Sequence, residues 1–558
     1  MPFGFTRSIL GAPLPVAASA VSLGLSPVLD TRSGQYSTSA YEQVNLSSAF
    51  APYVGSTGRL VFQYTSGSSF TGDIQIDDIN IGSSNNYSFE ATGQGFETTI
   101  NGSTDATYTD TFYQGLSFTS VLTSGIASGR WNRDLGGTSS GSTGLAFADA
   151  GSYYLYVEVT GTSLGYPNKV TWLRSPEVTL DTATLNYALG RYGATIGTIR
   201  VFWEVTSLPP LYSFSSFTFT DGGQTGYTGP SLSTLLASSD YDTATYTWLS
   251  NTDYFNVDST VQGMQLWTVP ETGSYRITAK GAPGGSIGTT VYTGGIGAEI
   301  SGEFTLTKGD ILEIVVGQAG SDRNSGTDPY GGACGGGGSF VVARNGNTNS
   351  DIYVIAGGGG GAEADNRFNR GTSTHGGNGQ SGTNGQNSSS SSFGQGTYGQ
   401  PAPNYTANSF GDRTKGGTGG YGGGGGVGGG GAGFFDRGGT GNNGTTTNPP
   451  GTSTQCGYGY LTGSGYVATS RARGGRSNTS AESGGFGGGG GSAIATGYGG
   501  GGGGYSGGGA GTFVSSKQGN GGGGGSYNSG TNQTSTTYTE ATHPGSLSGH
   551  DAFVTIEA

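Results

Sequence analysis

Residues 498–511 read YGGGGGGYSGGGAG, in which six consecutive glycines are followed by a second glycine cluster. Similar runs occur at 357–361, 422–426, 428–431, 487–491 and 521–525. Each ordered glycine costs roughly 0.5–1 kcal/mol more backbone entropy than alanine. Because glycine has no side chain to bury, order in these runs would require that nearly every backbone amide finds a hydrogen-bond partner.

Extended threefold helices that lack Cβ atoms can meet this requirement, because they pack side by side and can bond to several neighbours. The strict Gly-X-Y repeat of collagen is absent from the sequence. We therefore expect the glycine runs to form a bundle of polyglycine II helices. A flexible low-complexity linker is the alternative.

The remainder of the chain has the period-2 alternation of β-strands rather than helical periodicity. Short β-branched and aromatic runs bounded by Gly, Ser and Asn occur at 60–64, 73–77, 153–159, 199–205, 275–279, 311–316 and 352–355. They predict an all-β fold of jelly-roll or β-sandwich domains. Residues 552–556 (AFVTI) predict a last strand after the glycine runs. The polyglycine II bundle is therefore expected to be inserted in the C-terminal sandwich.

Composition restricts the classes of function. The chain has 558 residues, 117 of them glycine, and 11% are charged, against about 25% in ordinary soluble domains. The net charge of −13 disfavours nucleic-acid binding, which needs a basic surface. No apolar stretch reaches the roughly 18 residues of a membrane-spanning helix. Abundant hydroxyls, amides and aromatic rings are typical of an extracellular β-rich scaffold.

A composition shift near Pro209-Pro210 and the onset of the glycine runs divide the chain. The predicted parts are an N-terminal attachment arm (1–30), a jelly-roll β-sandwich (31–206), the sandwich part of a glycine-rich domain (207–361), and a polyglycine II bundle with a closing C-terminal strand (362–558). A secretion signal is the alternative for the N-terminus, given Arg7 and the small residues 18–20. Pro13 and Pro15 interrupt its apolar run.

Residues 31–206 resemble the MAM domain, a jelly-roll module of adhesion proteins and receptors. The resemblance is carried by Trp131-Asn132-Arg133 and by the segments 143–144, 151–158, 173–176, 185–187 and 196–201. MAM sequences open with a Phe-Glu pair, here Phe89-Glu90, and end with a segment like 72–79. In this chain the ending segment precedes the opening one, which implies a circular permutation joined through 82–86. The cysteines of the family are absent.

Residues 213–558 resemble the glycine-rich domain of the anaplastic lymphoma kinase receptor ectodomain, a module also found in viral and phage proteins. The segments that carry this resemblance are 217–220, 228–230, 263–270, 273–277, 281–285, 336–342 and 355–360. It implies a sandwich that frames a bundle of polyglycine II helices. With no membrane span and no kinase in the sequence, receptor signalling is not implied.

The resemblance to phage adhesins also implies that loops between glycine helices contact the receptor. Aromatic and arginine side chains are the usual anchors of interfaces. The candidate receptor-binding residues are Phe434, Phe435, Arg437, Tyr458, Tyr460, Arg471, Arg473 and Arg476, with the segment 365–370 as a further tip. The alternative for Phe434 and Phe435 is that they cap the bundle as local core, and for the tyrosines both roles stay open.

Catalytic and metal-binding patterns are weak, so we predict neither an enzyme nor a cofactor. The histidines His375, His543 and His550 fall in polar or Gly-rich loops. Asp73, Asp77 and Asp78 suggest calcium, but strand alternation places Asp78 on the other face, so we predict no metal site and a turn-capping or solvent role instead. Glycosidase-like carboxylate pairs stay open. Cys334 and Cys456 allow either one disulfide or two free buried thiols.

These observations lead to one main expectation and two rivals. The main expectation is a virion structural protein on the particle surface, a phage tail fibre or adhesin that recognises a protein or glycan on the host cell. The N-terminal arm would bind other virion proteins, and the chain would form a homo-oligomer, by fibre analogy a trimer. A capsid-decorating head fibre and a secreted cellular adhesin are the alternatives.

Overall fold

The computed structural model divides the chain into two compact units, unit 1 (Met1–Pro209) and unit 2 (Pro210–Ala558). No described helix has the length and apolar character needed to cross a membrane. The structure describes residues 24–99, 108, 112–114, 129–138, 140–160, 165–287, 292–323, 331–364, 375–388, 415–425, 428–439, 456–461, 471–476, 482–492, 498–511, 519–536 and 552–558. Most of the predicted arm 1–30 therefore lies outside the described residues.

Unit 1 is built from antiparallel strands, with a short helix α1 (Ser47–Phe50) and a 3-10 turn (Ala51–Tyr53) between the third and fourth. The described strands are β1 (Gly24–Leu25), β2 (Asp30–Ser33), β3 (Glu42–Asn45), β4 (Thr57–Thr65), β5 (Ile74–Ile81), β6 (Asn85–Tyr87), β7 (Glu97–Thr99), β8 (Phe112–Gln114), β9 (Trp131–Leu135), β10 (Tyr153–Val157), β11 (Val170–Arg174), β12 (Val178–Thr179), β13 (Leu185–Arg191) and β14 (Thr198–Ser207).

These strands form two sheets with a common core, as expected of a sandwich. One sheet has the order β1-β14-β4-β11-β7-β8, with β2 on β14 and β12 on β4; the other has the order β3-β13-β5-β10-β9, with β6 on β5. Phe62 of the first sheet meets Tyr187 of the second edge to face, with ring centroids 5.3 Å apart. Trp131 and Trp203 are completely buried in the same core.

Unit 2 contains a second set of antiparallel strands. They are β15 (Ser216–Phe219), β16 (Phe255–Val257), β17 (Met264–Thr268), β18 (Gly273–Lys280), β19 (Glu299–Leu306), β20 (Ile311–Val315), β21 (Gly331–Gly332), β22 (Ser339–Ala343), β23 (Ile352–Ala356), β24 (Glu363–Ala364), β25 (Tyr527–Asn528), β26 (Thr531–Thr536) and β27 (Phe553–Glu557). The described helices are α2 (Leu232–Leu236), capped by the Ser231 side chain, and two 3-10 turns, Thr247–Ser250 and Asn349–Asp351.

The two main sheets of unit 2 have the orders β15-β27-β18-β19-β26 and β16-β17-β20-β22-β23-β25. The final strand β27 lies inside the first sheet, since Val554 is paired with both Phe219 and Ala279. The chain therefore returns to the sandwich after the glycine runs, and the predicted last strand and the all-β class are confirmed. The core between the sheets is rich in aromatic residues, among them Trp248 and Trp267.

The glycine runs leave the strands of unit 2 and pair through their backbones. Gly358, Gly359, Gly360 and Gly361 donate to the carbonyl oxygens of Gly503, Ala282, Gly377 and Gly500 at 2.7–2.9 Å. The neighbours of segment 357–362 are the segments around 282–285, 295–298, 333–336, 377, 500–503 and 521–524. One glycine segment is thus surrounded by six others.

The partner segment recurs every third residue. Gly358 and Gly361 both bond to segment 500–503, and Gly359 and Ala362 both bond to segment 282–285. A period of three residues is that of an extended threefold helix. Segment 499–504 has the same surroundings, with bonds to 333–336, 358–361, 429–432, 490, 508–511 and 519–522. The hydrogen bonds are therefore those expected of a polyglycine II bundle.

The bundle has a sandwich end, where its segments join the strands, and a far end. Segments 281–287, 317–323 and 357–362 run away from β18, β20 and β23, and segments 292–298, 331–338 and 519–526 return to β19, β22 and β25. The bundle thus includes residues from 281 onward rather than from 362, because the loops of the sandwich supply several of its helices. The division predicted at 361/362 therefore cuts through one continuous bundle.

Candidate functional site

Four of the candidate receptor-binding residues lie where the bundle meets the sandwich. The outward face of the β16-to-β25 sheet contributes Phe340, and the bundle contributes Phe434, Tyr460, Phe486 and Tyr505 to one buried cluster. We call this cluster the aromatic joint. The Tyr460 ring is stacked between Phe340, at 5.4 Å, and Phe434, at 5.0 Å between ring centroids. Each such pair contributes about 0.5–1.5 kcal/mol beyond the area it buries.

A buried carboxylate lies beside the aromatic joint. Glu313, in the middle of β20, is completely buried. Arg344 Nη1 lies 2.9 Å from its Oε1, Arg471 Nη2 lies 3.0 Å from its Oε2, and the hydroxyl of Tyr460 donates to Oε2. Burial and the adjacent Glu313 charge raise the pKa of Tyr460 well above its usual value. Tyr460 is therefore a neutral donor. Arg344 also pairs with Asp258, at 2.9 Å, so that two guanidinium groups balance two carboxylates.

Arg471 is held on three sides. Its Nε donates to the Tyr460 carbonyl at 2.8 Å, and its guanidinium lies 4.8 Å from the centre of the Tyr460 ring. Together with the Glu313 pair, these contacts fasten the bundle segment 471–476 to the sandwich strand β20. Removal of the arginine would leave part of a buried charge uncompensated, so the pair favours this placement of the segment. Glu313 was not singled out in the sequence, because the burial of its strand face depends on distant residues.

The buried candidates do not form a receptor surface. Phe434 and Tyr460 are fully buried, and Arg471 is committed to Glu313. Phe435 is half-buried and packs edge-on against Phe434, with ring centroids 5.0 Å apart. The physical reason is the direction of the helices: the turn after segment 428–434 lies at the sandwich end, where the core covers it. These four residues are therefore withdrawn from the candidate contact set: Phe434 is part of the core, and Phe435 packs against that core from a half-buried position.

The remaining candidates lie outside the aromatic joint. Arg437, Tyr458 and Arg473 are half-buried, and Arg476 is exposed. The backbone of Tyr458 donates to the Arg473 carbonyl at 2.8 Å.

Arg476 places its guanidinium 4.8 Å from the centre of the Tyr227 ring. Tyr227 was missed in the sequence, because it lies more than two hundred residues earlier in a loop that packs on the bundle. The candidate segment 365–370 lies outside the described residues.

The acidic residues of unit 1 have structural partners. Asp77 accepts hydrogen bonds from the backbone of Asp78 and Asp149 at 2.9 Å, and so holds the loop that carries Asp149. Burial raises the pKa of Asp77 to about 7. Burial, with the charge of Glu158, raises the pKa of Asp73 to about 8. Within the described ranges, no group of three or more potential metal-ligating side chains occurs.

The two cysteines are free and buried. The Cys334 thiol lies 3.4 Å from the Ser492 hydroxyl and accepts from the Ser492 amide at 3.3 Å. Burial raises the pKa of Cys334 to about 11, so it is protonated at neutral pH. Of the two alternatives left open by the sequence, the structure has the free thiols. His375, whose Nδ1 accepts from the Thr293 amide at 3.2 Å, also has a structural contact.

Comparison with known proteins gives a partial similarity. No family model matches the chain. The chain is 33% identical over 127 residues to the leukocyte tyrosine kinase receptor of Mus musculus. The aligned region covers 23% of this chain and 14% of the receptor. The chain therefore matches a small part of that receptor. This similarity supports a loose resemblance to such receptors, and the MAM resemblance stays a prediction.

Proposed function

We propose that this chain is a non-enzymatic structural protein of a phage particle, a tail fibre or adhesin that recognises the host-cell surface. The observation that carries the proposal is the hydrogen-bonded glycine bundle, in which segments 357–362 and 499–504 each have six neighbours. Such a block is a rigid support built without large side chains. Among the described residues its interior is mainly hydrogen-bonded backbone, and the role that we propose for it is display.

The direction of the bundle supports a display role. The segments that leave β18, β20 and β23 carry the chain away from the sandwich and return it to neighbouring strands. The described segments therefore form a rigid base, and we propose that the chain connections they support carry the binding surface, because a preorganised base lowers the entropic cost of binding. The net charge of −13 and the low share of charged residues suit a protein exposed on a particle.

The other parts of the chain would then have supporting roles. We propose that the N-terminal arm binds other virion proteins and that unit 1, a circularly permuted MAM-like sandwich, is a spacer. A homo-oligomer, a trimer by analogy with fibres, would present several copies of the bundle. Several weak contacts on one particle raise the overall avidity without strong single contacts.

A secreted cellular adhesin is the second candidate. It is favoured by one observation, the 33% identity over 127 residues to a mouse receptor. The two roles differ in where the protein is found. A phage protein co-purifies with particles, whereas a secreted adhesin is found in the medium with a cleaved N-terminus.

Particle imaging and an adsorption assay test the proposal together. Antibodies against the full chain should label the tail of intact particles, and the purified full chain should bind host cells and reduce phage adsorption. Label on the head shell would favour a capsid-decorating protein. A purified chain that neither binds cells nor blocks adsorption would exclude the adhesin role.

A further inference from the structure

Two of the three arginines in the bundle segment 471–476 lie on the same side of the helix. Successive side chains on one line of a threefold helix are three residues apart, so Arg473 and Arg476 share a line, about 9 Å from each other at a rise of about 3.1 Å per residue. Gly474 and Gly475, which lie between the two arginines on the two other lines, are buried and donate to Tyr227 and Gly489. Arg473 and Arg476 therefore form a ridge on the outer side of the segment.

The charges of this ridge are not balanced within the described part of the chain. There, the ion pairs nearby join Arg471 to Glu313 and Arg323 to Glu482, and neither Arg473 nor Arg476 has an ion pair. Glu482 is close in space, since Arg476 is bridged to Ser483. The ion pair of Glu482 within the described residues is with Arg323, whose Nη1 lies 3.6 Å from Glu482 Oε2. On a protein of net charge −13, this ridge is a local excess of positive charge.

Tyr227 holds the Arg476 side chain in place. Its guanidinium lies 4.8 Å from the centre of the Tyr227 ring, and the Tyr227 carbonyl accepts from the Gly474 amide at 3.0 Å. The ring and the backbone bond fix the loop to the same helix that carries the ridge. A planar guanidinium stacked on a ring loses less freedom when it binds an anion, and it keeps its outer edge for bidentate contacts. Tyr227 is therefore a positioning residue for Arg476.

We propose that Arg473 and Arg476, with Tyr227 beneath, form a contact site for an acidic glycan whose carboxylate or sulfate groups repeat along an extended chain. The spacing of the ridge suits two anionic groups of one polymer. The guanidinium fork matches both carboxylate and sulfate oxygens. The inference rests on the proposed adhesin function, and it names the chemical class of the receptor.

The test uses the full chain and two defined polyanions, heparin for sulfate and polygalacturonate for carboxylate, with neutral dextran as the control polymer. The wild type should be retained on at least one immobilised polyanion at low salt and not on dextran. Retention should fall as salt rises, because exposed charges are screened. The double variant R473Q/R476Q should bind at least about tenfold more weakly, since it loses both charge-assisted contacts.

Matched variants separate the site from overall charge. R59Q/R200Q changes the net charge equally in unit 1 and should bind as the wild type. Tyr227→Phe should keep the affinity, whereas Tyr227→Ala should weaken it about two- to fivefold through loss of the cation–π contact. Equal retention of wild type on dextran, no retention on either polyanion, or equal binding by R473Q/R476Q and R59Q/R200Q would overturn the proposal.

Binding to host cells distinguishes this inference from the proposed function. If the wild type and R473Q/R476Q both bind cells, the adhesin role stands and the arginine ridge is not its contact site. If the wild type itself does not bind cells, the adhesin role fails, whatever the polyanion columns show.

Discussion

Arg471, at the sandwich end of a bundle segment, holds its guanidinium 3.0 Å from the buried carboxylate of Glu313 in a sandwich strand. The two residues are 158 positions apart in the sequence. Glu313 is completely buried, so its charge requires partners where it lies. This pair therefore couples correct placement of the glycine bundle to the folding of the sandwich.

The first prediction concerns removal of this pair. Arg471→Met should lower the free energy of unfolding of unit 2 by about 2–3 kcal/mol, because a buried carboxylate loses one of its two cationic partners while Arg344 remains. Urea denaturation of the full chain measures the loss, with the transition of unit 2 followed separately from that of unit 1.

Arg476→Met is the matched control, since it makes the same change on the same segment at an exposed position. It should alter stability by no more than about 0.5 kcal/mol. Equal effects of the two substitutions would show that the Glu313 pair does not fasten the bundle. A double-mutant cycle of Arg471→Met and Tyr460→Phe would measure the coupling energy between these two partners of Glu313.

The second prediction is a graded series of glycine-to-alanine variants. A Cβ at Gly359 would lie 1.9 Å from the Gly295 carbonyl oxygen, one at Gly428 would lie 2.9 Å from that of Gly499, and one at Gly382 would meet nothing within 4 Å. The loss of stability should increase in the order Gly382→Ala, Gly428→Ala, Gly359→Ala. The last should exceed about 4 kcal/mol or prevent folding, because the clash is with backbone on a neighbouring helix.

Thermal unfolding of the three variants checks this order. Gly382→Ala should be neutral or slightly stabilising, since alanine restricts the unfolded chain. The intermediate variant keeps the series informative if Gly359→Ala yields no soluble protein. Equal stability of all three variants would contradict close helix packing.

The sequence predicted the strands better than the site. Alternation located the strands that contain 60–64, 199–205 and 275–279, because one side of each strand faces a core. The final strand was also predicted. The glycine runs predicted a bundle, since only backbone bonding can order them.

The location of Phe434 and Tyr460 could not be read from the sequence in the same way. Glycine helices reverse direction repeatedly, and which end of the bundle a loop occupies depends on the number of reversals before it. A segment without side chains also carries no pattern that specifies its neighbours. Glu313 was missed for a related reason: the outward face of β20 is covered by residues that follow more than a hundred positions later.

The third prediction concerns hydrogen exchange. The amides of Gly358, Gly359, Gly360 and Gly361 donate at 2.7–2.9 Å to different neighbours. Their exchange should require cooperative opening of unit 2 and so be as slow as that of its core strands. Deuterium uptake measured by mass spectrometry over 357–362 and 499–504 should be far slower than over the exposed loop 223–225. Uptake in the glycine segments as fast as in that loop would exclude an ordered bundle.

The fourth prediction concerns the pH dependence of unit 1. Asp73 is completely buried, and its pKa is raised to about 8 by burial and by the Glu158 charge, from an ordinary value of 3.8. Between those two pH values the folded unit holds a proton at Asp73 that the unfolded chain has released. The free energy of unfolding should therefore fall as pH rises through this window, and the full penalty should be present above about pH 8.

Asp73→Asn isolates this contribution, because the amide stays neutral and its oxygen can still accept from the Val159 amide, which is 3.1 Å from Asp73 Oδ1. The variant should match the wild type below about pH 3.8 and become progressively more stable than it from there to about pH 8. Asp77, whose pKa is raised to about 7, contributes its own decrease of the free energy of unfolding with rising pH in both proteins. Glu177→Gln, at an exposed acid of the same unit, should keep the wild-type profile. A stability difference between Asp73→Asn and wild type that stays constant from pH 5 to 8.5 would show that Asp73 is ionised throughout.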